Sequence, residues 1–314
     1  MGATGQPPDR NLPDEQPEPL TERSASDRTV SALTPEEKFA VEARVRARLG
    51  ERPAARAPRL DPKQVVGAVV TTFGDADHIV LTVRKLRAEV ADVIVVDLGS
   101  EDDTVARLRA AFPDLRIVEL PTERGFGAAL NEGARHLGQP YILSLHGDAR
   151  LRPGALERLL EWVAQGTPPV ALAACRLANN EGLVERSAGY WPTVRGRWAS
   201  WFRNLFPLPW LRQYERPWRC APQGRADVDW ASCAAALLKR EALEQCGGAD
   251  ERYFLAYGSE DLGLRLRQAG WRIVYDAHAR ALHFDTVVEA KSSRRAARRR
   301  FWATYGWRRR VRRP

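Results

Sequence analysis

The chain has 314 residues, 44% hydrophobic and 28% charged, which is enough apolar matter for a packed core and excludes collagen-like, wholly disordered and membrane-embedded classes. The formal charge is +9, but residues 291–314 carry eleven Lys or Arg and no acid, so the rest of the chain sums to about −2 and the basicity is local. Cys175, Cys220, Cys233 and Cys246 have neither the close spacing of a zinc site nor the density of a disulfide scaffold, and read as reduced thiols in a bacterial-type cytosol. No apolar run approaches the roughly 20 residues that cross a bilayer, and the N-terminus lacks the apolar stretch of a signal peptide, so neither spanning nor secretion is expected.

Residues 1–33 are rich in Pro, Asp, Glu, Ser and Thr and poor in apolar side chains, the composition of a disordered tail. Thr34-Pro35-Glu36-Glu37 is a capping box with proline at the first helical position, and predicts a helix over 35–49. A proline-rich linker follows, so that 34–62 forms a helix and linker and the main domain begins near Val65. From there short apolar runs at 65–73, 93–100, 115–121, 141–149 and 170–178 alternate with helix-compatible stretches at 77–90, 102–112, 127–137 and 153–165. That alternation predicts an α/β fold built from βαβ units on a mostly parallel sheet. Residues 63–180 form one half of the domain and 181–289 the other, with a Trp- and Arg-rich stretch at 190–219, a helix at 262–270 and a strand at 271–277. The tail, 290–314, is basic, aromatic and helix-compatible.

In such sheets ligands collect at the carboxyl edge, so the residues just after each strand carry the chemistry. One strand runs into Asp97-Leu98-Gly99-Ser100-Glu101-Asp102, a capped turn or a binding loop. Another ends in His146-Gly147-Asp148, where an imidazole and a carboxylate two residues apart on an extended backbone point to one side. An aspartate there is more often an ordinary cap than a metal ligand. Glu260 and Asp261 open a helix, which the helix dipole alone would explain, and His283 follows the last strand.

Taken in order, the segments VVTTF, IVVDLGSEDDT, ERGFGAALNEG, LSLHGD, VDWASCAAALLKREALEQCGGADERYF and GSEDLGLRLRQAGWRIVYDAHARALH resemble the family 2 inverting glycosyltransferases of GT-A fold, especially bacterial rhamnosyltransferase-like members. The resemblance runs from Val65 to His283 and implies a Rossmann-like sheet flanked by helices. It implies a nucleoside diphosphate sugar donor (dTDP, UDP or GDP) held by Thr72, Phe73, Asp97, Ser100, Asp102, Gly125, Phe126, Asn131 and Asp148. It implies a divalent cation, Mn²⁺ or Mg²⁺, on Asp148, His283 and His146, with the mixed imidazole and carboxylate set suiting Mn²⁺ better. Asp261, tuned by Glu260, is implied as the base that takes the acceptor proton, and Trp230 and Tyr257 as acceptor contacts. Gly74 and Leu98 stand where relatives carry asparagine.

The implied acceptor is a glycan or polyprenyl-linked glycan. The five tryptophans of 190–219 either pack over the cleft or form an acceptor platform. The tail interleaves its cations with Phe301, Trp302, Tyr305 and Trp307, which predicts attachment to an anionic membrane surface at the cytoplasmic face, with nucleic acid the less expected partner. The competing reading is a catalytically inactive module that binds a nucleotide sugar or RNA and is anchored by that tail.

Overall fold

The computed structural model describes residues 60–121, 124–165, 168–191, 220–284 and 291–305, together with the backbone alone at 291 and 292. The expected N-terminal tail, the helix at 35–49, most of the linker, the aromatic stretch from 192 to 219 and the final residues with Trp307 lie outside the described residues. All the described residues belong to one unit, Pro58–Pro314.

The chain alternates as its hydrophobic pattern demands. A short helix α1 (Pro62–Val65) leads into β1 (Val66–Thr72), and α2 (Ile79–Glu89), β2 (Asp92–Asp97), α3 (Thr104–Ala111), β3 (Arg116–Glu119), α4 (Gly125–Arg135) and β4 (Tyr141–His146) follow. Then come β5 (Ala149–Leu151), α5 (Ala155–Ala164), β6 (Val170–Ala178), β7 (Ala188–Gly189), β8 (Arg225–Val228), β9 (Trp230–Ala231) and β10 (Ala235–Lys239). The last elements are α6 (Arg240–Gln245), α7 (Gly258–Gln268), β11 (Arg272–His283) and α8 (Lys291–Tyr305).

The main sheet has the order β3-β2-β1-β4-β10-β6-β11-β5, with β8 paired on β11. The βαβ half, β3 to β4, is parallel, and β6 pairs parallel with β11. Strand β10 enters antiparallel between β4 and β6, and β5 and β8 run antiparallel to β11. Sequence alternation did not reveal these reversals, because β5 and β8 are three and four residues long and carry no periodic signal of their own.

Successive side chains of a strand point to opposite faces, and β1 shows it: Val66, Ala68 and Val70 join one core, Val69 the other. The first core receives Ile79, Val83 and Leu86 of α2 and Leu156, Leu159 and Leu160 of α5. The second receives Phe126, Ala129 and Leu130 of α4 and Leu262 and Leu266 of α7. Gly133 lets α4 lie flat on β1, since a Cβ there would meet Val69 Cγ1 at 2.4 Å. Covered on both faces, β1 is fully buried along its length, as the unbroken run VGAVVTT anticipates.

A third, smaller cluster holds the C-terminal helix. Ala297, Phe301 and Tyr305 of α8 are buried against Trp191, Tyr253 and Leu264, with Trp302 partly buried beside them. Phe301 and Tyr305 are therefore packed inside the protein rather than available to a headgroup layer. The arginines at 294, 295, 298, 299 and 300 occupy the exposed face of the same helix.

Candidate active site

Strand pairing assembles the three candidate metal ligands. β4 ends at His146, opposite Thr71 of β1, and the Gly147 N–H donates to the Thr71 carbonyl at 2.8 Å. The chain then turns into β5, which pairs with the end of β11 so that His283 lies opposite Ala149, one residue beyond Asp148. The Phe284 N–H donates to the Asp148 carbonyl at 3.1 Å and closes that end. Ligand atoms of His146, Asp148 and His283 consequently lie within 4.8 Å of one another. Gly147 cannot be replaced cheaply at this turn: a Cβ would come within 2.6 Å of Asp75 Oδ2 and 3.0 Å of Thr72 Oγ1.

The donor set fits a divalent cation. Burial, and then the charge of His283, lower the proton affinity of His146 to a pKa of about 4, so the imidazole is neutral near pH 7 and keeps a lone pair for a metal. His283 Nε2 lies 3.4 Å from Asp148 Oδ1, while its Nδ1 lies 2.9 Å from Glu185 Oε1. A carboxylate on the outer nitrogen of a histidine fixes its tautomer and turns the other nitrogen inward, which is how metal-binding histidines are oriented.

Two cavities meet at this triad. One, of about 210 Å³, is lined by Phe126, His146, Glu185, Trp230, Glu260 and His283 among others. The other, of about 70 Å³, lies against the ends of β1 and β2, lined by Thr72, Phe73, Asp75, Leu98 and Asp148, and shares His146 and His283 with the first. Of the sequence-predicted residues, Thr72, Phe73, Phe126, His146, Asp148, Trp230, Glu260 and His283 thus share one connected region.

The acidic pair divides. Neighbours on a helix are rotated by about 100°, and here Glu260 and Asp261 point different ways. Glu260 lines it, whereas Asp261 turns beneath α8 and is 1% exposed. Tyr305 Oη donates to Asp261 Oδ1 at 2.6 Å and Arg265 Nε donates to Oδ2 at 2.8 Å. Arg265 also donates to the carbonyls of Cys246 and Gly248, so the carboxylate braces α7 against that loop. Burial raises the proton affinity of Asp261, and the Tyr305 hydroxyl and Arg265 oppose that rise. The expectation that Asp261 stands at the acceptor is therefore not met by its side-chain direction.

Several expected donor contacts are engaged elsewhere. Asp97 is 2% exposed and accepts from the Gly99 and Ser100 N–H groups and from Ser100 Oγ. Ser100 Oγ in turn accepts from the Gly74 N–H at 2.8 Å, and Asp102 accepts from the Thr104 N–H at 3.1 Å, at the start of α3, and from the Ala76 N–H. These three residues tie the loops after β1 and β2 together, and Leu98 rather than Asp97 lines the cavity. Gly125, at φ 70°, serves a close approach: a Cβ would meet the Phe254 Cα at 2.4 Å, and the Phe126 N–H donates to the Phe254 carbonyl. Asn131 bonds both backbone groups of Ala249 and also Glu251, away from the triad. Tyr257, at φ 67°, packs its ring on Phe301 at 5.1 Å instead of lining the cavity.

Three residues were missed. Asp75 accepts from Thr72 Oγ1 at 2.8 Å and lines the smaller cavity; its place in the strand-end triplet Phe73-Gly74-Asp75 was the available signal. Glu185 reaches His283 from a segment without a motif, and Tyr305, expected with the other tail aromatics at a membrane surface, instead meets Asp261.

Comparison with known proteins bears on the family and the fold. The family model described as glycosyl transferase family 2 matches residues 68–222. The chain carries a family 2 glycosyltransferase domain. It is 29% identical over 235 residues to an N-acetylglucosaminyl-diphospho-decaprenol L-rhamnosyltransferase of Mycobacterium tuberculosis, covering 70% of this chain and 76% of that protein. It is 32% identical over 213 residues to a pre-mycofactocin glycosyltransferase of the same organism, covering 66% of this chain but 39% of the relative. Among solved structures, GalNAc-T7 with UDP, GalNAc and Mn²⁺ superposes with a TM-score of 0.52 at 12% identity over 87% of this chain, which spans 58% of the solved one. That likeness establishes the GT-A-like fold. The matched family stretch ends before α7 and β11, so Glu260 and His283 lie beyond it.

Proposed function

We propose that this family 2 glycosyltransferase moves a sugar, with inversion, from a nucleoside diphosphate donor to a hydroxyl of a lipid-linked glycan, and that rhamnose from dTDP is the first donor to test, ahead of UDP and GDP sugars. One observation carries the reading: the cavity that holds the Glu260 carboxylate also holds two members of the histidine and aspartate triad. In this reading the nucleotide occupies the cavity at Thr72, Phe73 and Asp75, and the transferred sugar and acceptor occupy the larger one beside Phe126 and Trp230. His146, Asp148 and His283 would hold the divalent cation, which when bound neutralises charge on the leaving diphosphate. The rhamnosyltransferase relative and the Mn²⁺ of the GalNAc-T7 complex support the lipid-linked acceptor and the metal.

Glu260 accepts the proton of the acceptor hydroxyl as that oxygen bonds to the anomeric carbon from the face opposite the diphosphate, whose bond to the same carbon breaks. Asp261 acts through position, holding α7 and α8 together. The outward arginines 295, 298 and 299, with the further cations of the tail, attach the enzyme to anionic lipid at the cytoplasmic face, each worth about 1 kcal/mol near the surface. The test is turnover across dTDP, UDP and GDP sugars with Mn²⁺ or Mg²⁺. Glu260→Gln is expected to cut kcat at least about a hundredfold with donor binding retained, a loss typical of removing a general base. If Glu260→Gln keeps full turnover while Asp261→Asn, shown to be folded, loses it, the assignment of the base is overturned.

A further inference from the structure

Two guanidinium groups in the larger cavity have no part in the chemistry above. Arg186 and Arg294 both line it, beside the triad histidines and Glu260, and both are exposed to solvent. They come from different elements, and both elements are anchored. Arg186 precedes β7, where the Ser232 N–H donates to the Ser187 carbonyl at 2.7 Å and Ala188 pairs with Ala231. Arg294 lies on α8, whose inner face is buried in the third cluster and tied to α7 through Tyr305 and Asp261. The cavity also carries two carboxylates, Glu185 and Glu260, which without compensation would repel a polyanion.

We propose that Arg186 and Arg294 form a two-sided clamp for a diphosphate ester at this cavity. A guanidinium presents paired N–H donors that match phosphate oxygens, and two of them on fixed supports suit a group with two adjacent phosphates better than one. The inference rests on the transferase reading, in which two substrates can bring a diphosphate: the nucleotide sugar and a lipid-linked acceptor. Both offer the same chemistry, and the experiment separates them.

Affinities of the full chain are measured for dTDP, UDP and GDP against their monophosphates, and for farnesyl diphosphate against farnesyl monophosphate. The proteins compared are the native chain, Arg186→Gln, Arg294→Gln, the double variant and the paired Lys variants, with the exposed Arg84→Gln of α2 as a control. The double variant is expected to bind one diphosphate class at least about tenfold more weakly, as loss of hydrogen bonds to a charged group implies. Its monophosphate affinity should change much less, its affinity should depend less on salt, and its melting temperature should match the native value. Lys should restore part of the binding, and Arg84→Gln should change nothing. Loss confined to the nucleotides assigns the clamp to the donor, and loss confined to farnesyl diphosphate assigns it to the acceptor. Native-like affinity of the double variant for both classes overturns the clamp while leaving the transferase reading intact. A native protein that binds no nucleoside diphosphate overturns the transferase reading and the clamp with it.

Discussion

Tyr305→Phe isolates the hydroxyl that joins the C-terminal helix to the acidic pair. The ring stays in place, because its packing on Phe301, 5.0 Å between centroids, and on Trp191, 5.9 Å, is available to phenylalanine as well. What is lost is the 2.6 Å hydrogen bond to Asp261 Oδ1, a carboxylate oxygen in a residue that is 1% exposed and that water cannot readily reach. A hydrogen bond to a charged group is worth about 1.5–3 kcal/mol, so a loss of about 2 kcal/mol is expected. In a domain of this size each kcal/mol moves the melting temperature by about 2–4 °C, which gives a drop of about 4–8 °C. The loss should depend on pH. Burial raises the Asp261 pKa above its unfolded value and Tyr305 works against that rise, so the variant shifts Asp261 further upward. A raised carboxylate pKa means stability that is present below the unfolded pKa and lost as pH rises through the folded one. The gap between native and variant should therefore be wider at pH 7.5 than near pH 4.5. Differential scanning calorimetry at both pH values measures it. A variant that melts within 1 °C of the native protein at both would refute the claim that this bond fastens α8 to α7.

Glu185→Gln should weaken Mn²⁺ binding by about 10–100-fold, measured by calorimetric titration, because the outer nitrogen of His283 loses its charged partner. Gly147→Ala should fold less stably and lose metal affinity, since the new methyl would have to displace the Asp75 carboxylate and Ile79, the latter at 2.9 Å. A circular dichroism melt paired with the same Mn²⁺ titration reads both effects. Gly133→Ala forces α4 off Val69 and should cost about 1–3 kcal/mol in urea unfolding.

The residues that sequence reasoning read well are those whose local pattern and tertiary role coincide. The runs at 66–72, 92–97 and 141–146 are apolar because both faces of their strands are covered, so their strand ends, and with them Thr72, Phe73, His146 and Asp148, could be placed at the carboxyl edge. The glycine at 125 entered only as a donor contact that the resemblance implies; in the structure a Cβ at 125 or 127 would meet the backbone of residues 250–254, about 125 positions away in the chain.

Three decisions belonged to the tertiary structure alone. Local sequence offers two adjacent acids at 260 and 261, and only the docking of α7 against α8 and β9 settles that the first faces the cavity and the second faces Tyr305. Similarly, a tail rich in arginine and aromatic residues is compatible with a membrane, a nucleic acid or the protein's own surface. The groove formed by Trp191, Tyr253 and Leu264 selects the last for Phe301 and Tyr305 and leaves the arginines outside. Glu185 reaches His283 across 98 positions, and no local period encodes such a contact. The sequence by itself thus determined which strands form and which residues stand at their ends, because burial writes a short-range pattern. The direction of each polar side chain within the site depended on long-range packing, which leaves no periodic trace.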